Sequence, residues 1–193
     1  MPFVYTEDWP ITVESVANPE VQTQSIDTRT VSADYFTTMQ IPLVNGQFFA
    51  APDGVPVVIV NQTMANRYWP NQDPLGKRIK LGDINSKSPW FIVKGVVKDS
   101  AQASLDVEVR PEIYFSLAQM AGRYRRMNLA VRTSVDPKST VAAIQAAIRE
   151  VDKDQPVYQI QTIDELIRET MSTRRFALTI LILFAVLPLR APS

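Results

Sequence analysis

The sequence predicts an α+β fold: a mixed α/β subdomain with an inserted strand-rich subdomain, then a C-terminal amphipathic stalk helix that runs into a truncated transmembrane helix. Strand and helix patterns alternate over residues 21–69, which favours crossover units in a mixed sheet. Residues 70–126 contain short strand patterns separated by turns. The uncharged run at 176–187 has a membrane-like composition, but as a helix it covers only about 18 Å of a bilayer core.

The composition narrows the possible functions. The chain has 193 residues, enough for one large domain or two small ones, and its 20 basic residues equal its 20 acidic ones. This balance gives no electrostatic footprint for nucleic acid, so we expect no nucleic-acid partner. The chain also lacks cysteine, which supplies thiolate metal ligands, and histidine, which is the commonest general base and supplies imidazole ligands. We therefore expect no enzyme, and no catalytic, cofactor or metal site.

The first 70 residues are predicted to alternate between strands and helices. Residues 1–20 contain three prolines, show no periodicity and are expected to be irregular, and they lack the pattern of a signal peptide. Residues 21–31 alternate and predict a strand. Ser32 is then expected to cap a short helix. Its apolar face would consist of Tyr35, Phe36 and Met39.

The run at 55–60 is bulky and β-branched, which predicts a strand buried on both faces. Asn61 follows as an expected N-cap of a second helix. The apolar face of that helix would consist of Met64, Ala65, Tyr68 and Trp69. Strand patterns at 77–81, 90–97 and 112–117 then define the inserted subdomain at 70–126, and residues 21–69 and 127–161 together would form the mixed subdomain.

The remaining elements follow in order. A strand is predicted at 129–132, and a helix is expected to begin with Asp136 as its cap and Pro137 at its first position. Its buried stripe would consist of Val141, Ile144, Ile148 and Val151. A last strand is predicted at 157–160.

Thr162 and Glu165 have the spacing of a capping box, which would open the final helix. No proline or glycine interrupts residues 162–187, so one helix is predicted to run from an amphipathic stalk into an apolar segment. Residues 188–193 are an atypical tail that begins with a proline.

Several stretches resemble functional sites, but each has a simpler interpretation. Glu150, Asp152 and Asp154 could support a carboxylate-based hydrolase, yet nothing apolar encloses them, so a solvated helix end is favoured. Ser100 and Lys98 are two residues apart, and we attribute that spacing to chance. Gly46 and Gly54 do not form a phosphate-binding loop pattern.

Three further features also have simpler structural interpretations. The basic segment at 123–126 could contact phosphates or lipid headgroups, although a solvated loop is favoured. Asn61 and Thr63 match a glycosylation sequon, but a structural cap accounts for Asn61 better. The aromatic residues Tyr68, Trp69 and Trp90 are expected to belong to the core rather than to stack on a ligand.

Several short motifs occur in an order that resembles the MacB-like periplasmic core domain. Those in the first half of the chain are VSADYF (31–36), IPL (41–43), NGQF (45–48), PVVIVN (56–61), ANRYWP (65–70) and DPLGKR (73–78). The later ones are IVKGVVKD (92–99), RPEIY (110–114), LAVRT (129–133), DKDQP (152–156) and RRF (174–176). Gln40, Gln47 and Lys94 depart mildly from the family pattern.

The resemblance implies the permease of an FtsX/MacB-type ABC transporter, in particular a truncated member of the large duplicated-permease group. In such permeases the domain is extracytoplasmic and non-catalytic, and it couples movement of the membrane helices to export or other extracytoplasmic work. The implied partners are a separate ABC ATPase, the remaining permease helices and a periplasmic adaptor.

The implied location is the bacterial inner membrane, reached through the C-terminal helix. Arg174 and Arg175 precede the apolar run, and by the positive-inside bias they favour the opposite orientation. We expect the fragment to be incapable of transport alone. The alternative is a stand-alone extracytoplasmic binding module for a peptide, lipid or adaptor protein, which an apolar groove between the two subdomains would favour.

Overall fold

The computed structural model describes residues 7–14, 25–50, 54–100, 109–120, 127–166 and 168. The chain divides into two compact units, Pro2–Arg132 and Thr133–Ser193. Seven strands lie in the first unit: β1 Glu7–Val13, β2 Ser25–Val31, β3 Leu43–Gly46, β4 Val57–Asn61, β5 Arg78–Leu81, β6 Trp90–Val97 and β7 Glu112–Ser116. The helices are α1 Tyr35–Met39 and α2 Gln62–Tyr68 in the first unit and α3 Pro137–Val151 in the second.

The seven strands form one mixed sheet in the order β3-β6-β4-β7-β2-β1-β5, and β6 also pairs with β5. Six strands therefore close into a ring, from which β3 extends. β6 is long enough to pair with both β5 and β3, because its residues 90–92 pair with β5 and its residues 95–97 pair with β3. The pairs β2–β7 and β4–β6 are parallel, and the other pairs are antiparallel.

A core lies on each face of the sheet, because successive strand side chains point to opposite sides. On one face, Val58 and Val60 belong to a cluster that includes Met64 and Trp69 at α2. On the other face, Ile59 belongs to a cluster with residues of α1 and β7. Phe36, at its centre, meets Tyr114 edge to face with ring centroids 5.0 Å apart. All five residues of β4 are buried, which confirms the predicted two-faced strand.

The N-terminal prediction was wrong in part. Residues 1–20 were expected to be irregular, but Glu7–Val13 forms a strand that pairs with β2 and β5. Ile11 and Val13 are buried on the same face, an alternation that the neighbouring prolines obscured. Ser32 is also not the cap of α1: the N-cap is Asp34, which makes no side-chain capping bond, and Ser32 contributes only its carbonyl oxygen to Tyr35 N.

The middle strands agree with their predicted positions, and Trp90–Val97 matches at both ends. However, β5, β6 and β7 pair directly with β1, β2, β3 and β4, so strand pairing marks no separation at residue 70. Hydrogen bonds between distant segments, rather than sequence texture, determine which strands share a sheet. The division of the chain into a mixed subdomain and an insertion stays a prediction.

In the second unit, α3 begins at Pro137 as predicted, and Asp136 is its N-cap but makes no side-chain capping bond. The predicted buried stripe is wrong: no residue of α3 is buried, and Val151 is 90% exposed. The strands predicted at 129–132, in the first unit, and at 157–160 are also absent. A strand exists only through a neighbouring strand, and within the described residues neither segment has one.

The capping box at the start of the final helix is confirmed. Thr162 N donates to Glu165 Oε2 at 2.9 Å, and Glu165 N donates to Thr162 Oγ1 at 3.2 Å. Residues 163–166 are helical. The apolar run at 176–187 and the tail at 188–193 lie outside the described residues, so the stalk and the truncated membrane helix stay predictions. In the part of the chain that is described, none of the helices has the length and apolar character that a bilayer crossing requires.

Candidate functional site

A group of polar side chains lies where β4 ends and β7 begins. We call it the polar cluster, and it consists of Asp27, Arg29, Asn61, Arg110, Glu112 and Tyr114. The parallel register of β2 and β7 creates it, because Asp27 lies opposite Glu112 and Arg29 lies opposite Tyr114. These four side chains share a face of the sheet, since they alternate along their strands.

A buried ion pair lies at the centre of the polar cluster. Arg29 Nε donates to Glu112 Oε1, and the two side chains are only 6% and 8% exposed. Tyr114 Oη donates to Glu112 Oε2 at 2.5 Å. Both carboxylate oxygens of Glu112 are therefore hydrogen-bonded, and the ion pair joins β2 to β7 across their shared ladder.

Burial controls the protonation of this cluster. It raises the pKa of Glu112, against the opposing effect of Arg29 and the hydrogen bond from Tyr114, and the nearby Asp27 carboxyl raises it further. Partial burial also raises the pKa of Asp27, although Arg110 Nη1 lies 3.1 Å from Asp27 Oδ1 and favours the charged form. The pKa of Tyr114 is raised as well, mainly by burial, so its hydroxyl remains a donor.

Asn61 connects this end of the sheet to α2. Its Oδ1 accepts from Met64 N at 2.9 Å and from Glu112 N at 3.0 Å, and its Nδ2 donates to Arg110 O at 2.9 Å. The predicted cap is thus confirmed, and its side chain is buried rather than presented for glycosylation. Beside it, Thr63 N and Thr63 Oγ1 donate to the two carboxylate oxygens of Asp99, at 3.0 and 2.9 Å.

These contacts indicate what the polar cluster can do. A general acid or base needs an atom that can exchange a proton with a substrate, but both oxygens of Glu112 already have protein partners. The same contacts bind β2, β4, β7 and α2 to one another. A satisfied buried network of this kind holds strands in a unique register and resists their separation. The arrangement therefore fits a structural joint.

A second feature is an apolar groove with a volume of about 370 Å³. Its lining comes from residues before β4, at β5, around the start of β6 and after β7, and includes Val55, Pro56, Leu81, Pro89, Phe91 and Met120. Gln119 fixes one wall, because its Nε2 donates to Val55 O and its Oε1 accepts from Val57 N. The groove therefore has both an apolar lining and a defined edge.

The acidic and serine–lysine candidates are not assembled into sites. Glu150, Asp152 and Asp154 are exposed, and Asp152 Oδ1 accepts from Asp154 N at 2.9 Å in a local turn. No group of three or more carboxylates that could hold a metal ion occurs in the described residues. Ser100 Oγ has no hydrogen-bond partner among those residues, so no bond joins it to the exposed Lys98.

The other candidates have different outcomes. The basic segment at 123–126 lies outside the described residues, Gly46 is the last residue of β3, and Gly54 lies before β4. Tyr68 and Trp69 belong to the core, as predicted. Trp90 is half-buried instead: Arg78 Cζ and Lys80 Nζ lie 5.3 and 5.6 Å from its ring centroid. These two cations account for the position of the indole ring.

Sequence reasoning missed the Arg29–Glu112 ion pair. A weak signal was present, because Glu112 and Tyr114 are two residues apart in a strand pattern and so share a face. The parallel alignment of β2 with β7 could not be inferred, since 83 residues separate the two charges along the chain. Asp99 was missed for the same reason, because its partner Thr63 is 36 residues away.

Comparison with known proteins identifies the family to which the chain belongs. The family model of the MacB-like periplasmic core domain matches residues 2–151, most of the chain. The chain belongs to this family, whose domains are periplasmic regions of MacB/FtsX-type ABC transporter permeases. Among curated protein sequences, none matches the chain.

Solved structures agree with this assignment at the level of the fold. The periplasmic region of MacB from Actinobacillus actinomycetemcomitans is 15% identical with a TM-score of 0.54, and the match covers 78% of this chain but 65% of that one. A putative permease domain from Porphyromonas gingivalis is 16% identical with a TM-score of 0.54, over 87% and 84% of the two chains. The extracellular domain of the transporter YknZ from Gram-positive bacteria is 15% identical with a TM-score of 0.53, over 82% and 80%.

Proposed function

We propose that the chain is the extracytoplasmic, non-catalytic domain of an ABC transporter permease, which couples movement of the membrane helices to export or other extracytoplasmic work. A coupling domain must transmit displacement without deforming. The observation that carries the proposal is the closed ring of six strands, fastened internally by the buried Arg29–Glu112 ion pair. Every strand of the ring has two hydrogen-bonded neighbours, so a pull on one strand is shared by the others.

The proposal includes partners and a membrane attachment. A separate ABC ATPase would supply the energy, the remaining permease helices would transmit it, and a periplasmic adaptor could receive it. The apolar run at 176–187 would anchor the domain as the beginning of a membrane helix, which by itself is too short to span a bilayer.

The location can be tested directly, because the chain contains no cysteine. Asn85→Cys, at an exposed turn, should react with a membrane-impermeant maleimide in intact spheroplasts that express the permease carrying this domain. Val60→Cys, fully buried in β4, is the matched control and should remain unlabelled. Labelling of Asn85→Cys only after lysis would place the domain in the cytoplasm and overturn the proposal.

The coupling role requires a separate test on the permease–ATPase complex in lipid nanodiscs. Glu112→Leu leaves Arg29 buried without its partner and should loosen the joint between β2 and β7. We expect ATP hydrolysis by the complex to change several-fold, and Arg29→Leu/Glu112→Leu to restore it. An unchanged rate in a variant whose sheet is measurably loosened would contradict coupling through this domain.

The apolar groove favours a second candidate, a stand-alone binding module for a peptide, lipid or adaptor protein. An apolar fluorescent dye is a suitable probe of the groove. Val55→Asp should weaken dye binding several-fold, whereas Val44→Asp, at a position outside the groove, should not. These residues form a matched pair, because Val55 is 53% exposed and Val44 is 51% exposed. Equal effects of the two substitutions would remove the support for this candidate.

A further inference from the structure

Among the described residues, the outer edge of β3 is open. The other six strands close into a ring, and β3 pairs with residues 95–97 of β6. Within the described residues, no strand pairs with its other side. An open edge presents unpaired backbone N–H and C=O groups, which are a template for another strand.

The side chains near this edge also lack complete cover. Met39, Leu43 and Phe48 pack against the core cluster on the α1 side of the sheet, but they are only partly buried. An apolar core that ends in half-exposed side chains can gain stability by burying them. A strand added beside β3 would cover this margin of the core.

The segment at 127–132 has the pattern that such a strand requires. Met127, Leu129 and Val131 alternate with less apolar residues, and they are 76%, 68% and 52% exposed. The alternation is that of a half-buried strand. Three large apolar side chains of one short segment are therefore exposed, although their pattern predicts a surface that covers them.

One hydrogen bond locates the end of this segment. Arg132 Nε donates to Thr38 O at 2.6 Å, and Thr38 lies in α1, five residues before β3 begins. Arg132 therefore lies near the side from which the chain enters β3. A segment that ends there would run antiparallel to β3 if the two were paired.

We propose that residues 127–132 form a detachable strap that adds to the open edge of β3 as an antiparallel strand, with Leu129 and Val131 covering Leu43 and Met39. The structure contains the undocked arrangement. Thr133, the next residue, begins the second unit. Docking would fasten the chain of that unit to the sheet, and release would add six residues of slack, about 20 Å when extended.

This inference rests on the proposed coupling function and assigns the regulation of coupling to the strap. A docked strap makes the connection between sheet and C-terminal segment tight, and a released strap makes it slack. Displacement of the C-terminal segment would then reach the sheet only in the docked state. The strap itself can be tested without any assay of coupling.

The side-chain pattern predicts the register of the docked strap. The pairing of β3 with β6 shifts register between Leu43 and Asn45, so the docked register is defined at Leu43. For Val131 to face the core it must lie opposite Leu43, which places Ala130 opposite Val44. A slip of one residue would turn the apolar side chains toward solvent. Val44 and Ala130 are both exposed, so both positions tolerate substitution.

The first test is disulfide formation in the full chain, which has no native cysteine. Val44→Cys/Ala130→Cys should form an intramolecular disulfide under mild oxidation, about tenfold faster than Val44→Cys/Val131→Cys, because a disulfide requires facing Cβ atoms. Equal, slow rates for the two variants would overturn the proposal. Crosslinks only between chains would also overturn it, and would assign the β3 edge to contact between copies.

Amide hydrogen exchange of the unsubstituted full chain provides a second test that does not depend on cysteine variants. Residues 43–46 and 129–131 should be protected together. Leu129→Asp/Val131→Asp should remove that protection while β4 and β7 keep theirs, because only the strap is disturbed. Fast exchange at 129–131 in the unsubstituted chain would contradict docking.

The link to coupling is then examined in the permease–ATPase complex. Locking the strap with the Val44–Ala130 disulfide should change ATP hydrolysis several-fold, and reduction should reverse the change. If the disulfide forms readily but hydrolysis does not respond, the strap exists and the coupling function fails. If the disulfide does not form, the strap fails while the coupling function remains open to the Glu112→Leu test.

Discussion

In the sheet-forming unit every residue of β4 is buried, whereas in the C-terminal unit no residue of α3 is buried. Both elements have clear apolar patterns and defined ends, so the strength of the local sequence pattern does not explain the difference in burial. The strand is covered on both faces by α1, α2 and neighbouring strands. An amphipathic pattern therefore indicates which side chains can be buried, and only a partner decides whether they are.

The largest expected effect comes from the ion pairs of the two units. Glu112→Leu should destabilise the sheet by about 3–5 kcal/mol, because Arg29 would remain buried without a partner. Arg29→Leu/Glu112→Leu should recover most of that loss. The matched change in the second unit is Lys138→Leu, which breaks the exposed pair between Lys138 Nζ and Glu165 Oε1 at 2.8 Å and should have a much smaller effect. Chemical denaturation of each variant measures the difference, and equal losses would contradict the comparison.

The next largest effect is on apolar packing, with the same substitution made in each unit. Ile59→Ala removes a fully buried side chain from β4 and should cost about 2–5 kcal/mol. Ile148→Ala removes a half-exposed side chain from α3 and should cost less than about 1 kcal/mol. Urea denaturation followed by circular dichroism gives both values. A large loss for Ile148→Ala would show that α3 is packed against a surface.

The helix caps provide a third pair of variants. Asn61→Ala should cost about 2 kcal/mol, at the upper end for a cap, because Asn61 also bonds Glu112 N and Arg110 O. Thr162→Ala removes only the capping box and should cost about 1 kcal/mol or less. Thermal unfolding of both variants tests which substitution costs more stability. The order of the two losses would be reversed if the C-terminal helix were the more tightly constrained element.

The smallest expected effects are on the pH dependence of stability. The contributions of Glu112 in the first unit and Glu165 in the second unit change with pH in opposite directions. Burial raises the pKa of Glu112 above its ordinary value of 4.5, so its contribution to stability is greatest below that value and is lost as the pH rises through the folded pKa. The hydrogen bonds from Lys138 and Thr162 lower the pKa of Glu165 from 4.5 to about 2, so its contribution is present above 4.5 and is lost as the pH falls toward 2.

Carboxyl chemical shifts from nuclear magnetic resonance, measured across this pH range, separate the two groups. Glu112→Gln and Glu165→Gln identify the resonances and serve as controls. Titration of both carboxyls near 4.5 would contradict the predicted difference. A downward shift of Glu112 would mean that the Arg29 pair outweighs burial.

The predictions that succeeded share a local cause. The strand at Trp90–Val97, the Asn61 cap and the box formed by Thr162 and Glu165 all depend on residues within a few positions of one another. The predictions that failed depended on distant partners. The strand at Glu7–Val13 can be recognised only from its pairing with β2 and β5. The segment at 129–132 has the composition of a strand, but among the described residues it has no neighbouring strand.

The sequence alone determined the family, the positions of most strands and helices in the sheet unit, and the caps at Asn61 and Thr162, because each depends on short spacings of specific residues. Only the tertiary structure decided that six strands close into a ring, that Arg29 meets Glu112, and that β3 has a single strand neighbour in the described part of the chain. Strand pairing joins segments far apart in the chain, and their backbone hydrogen bonds do not depend on side-chain identity. Sequence patterns therefore show where a strand can form, and folding selects its neighbour.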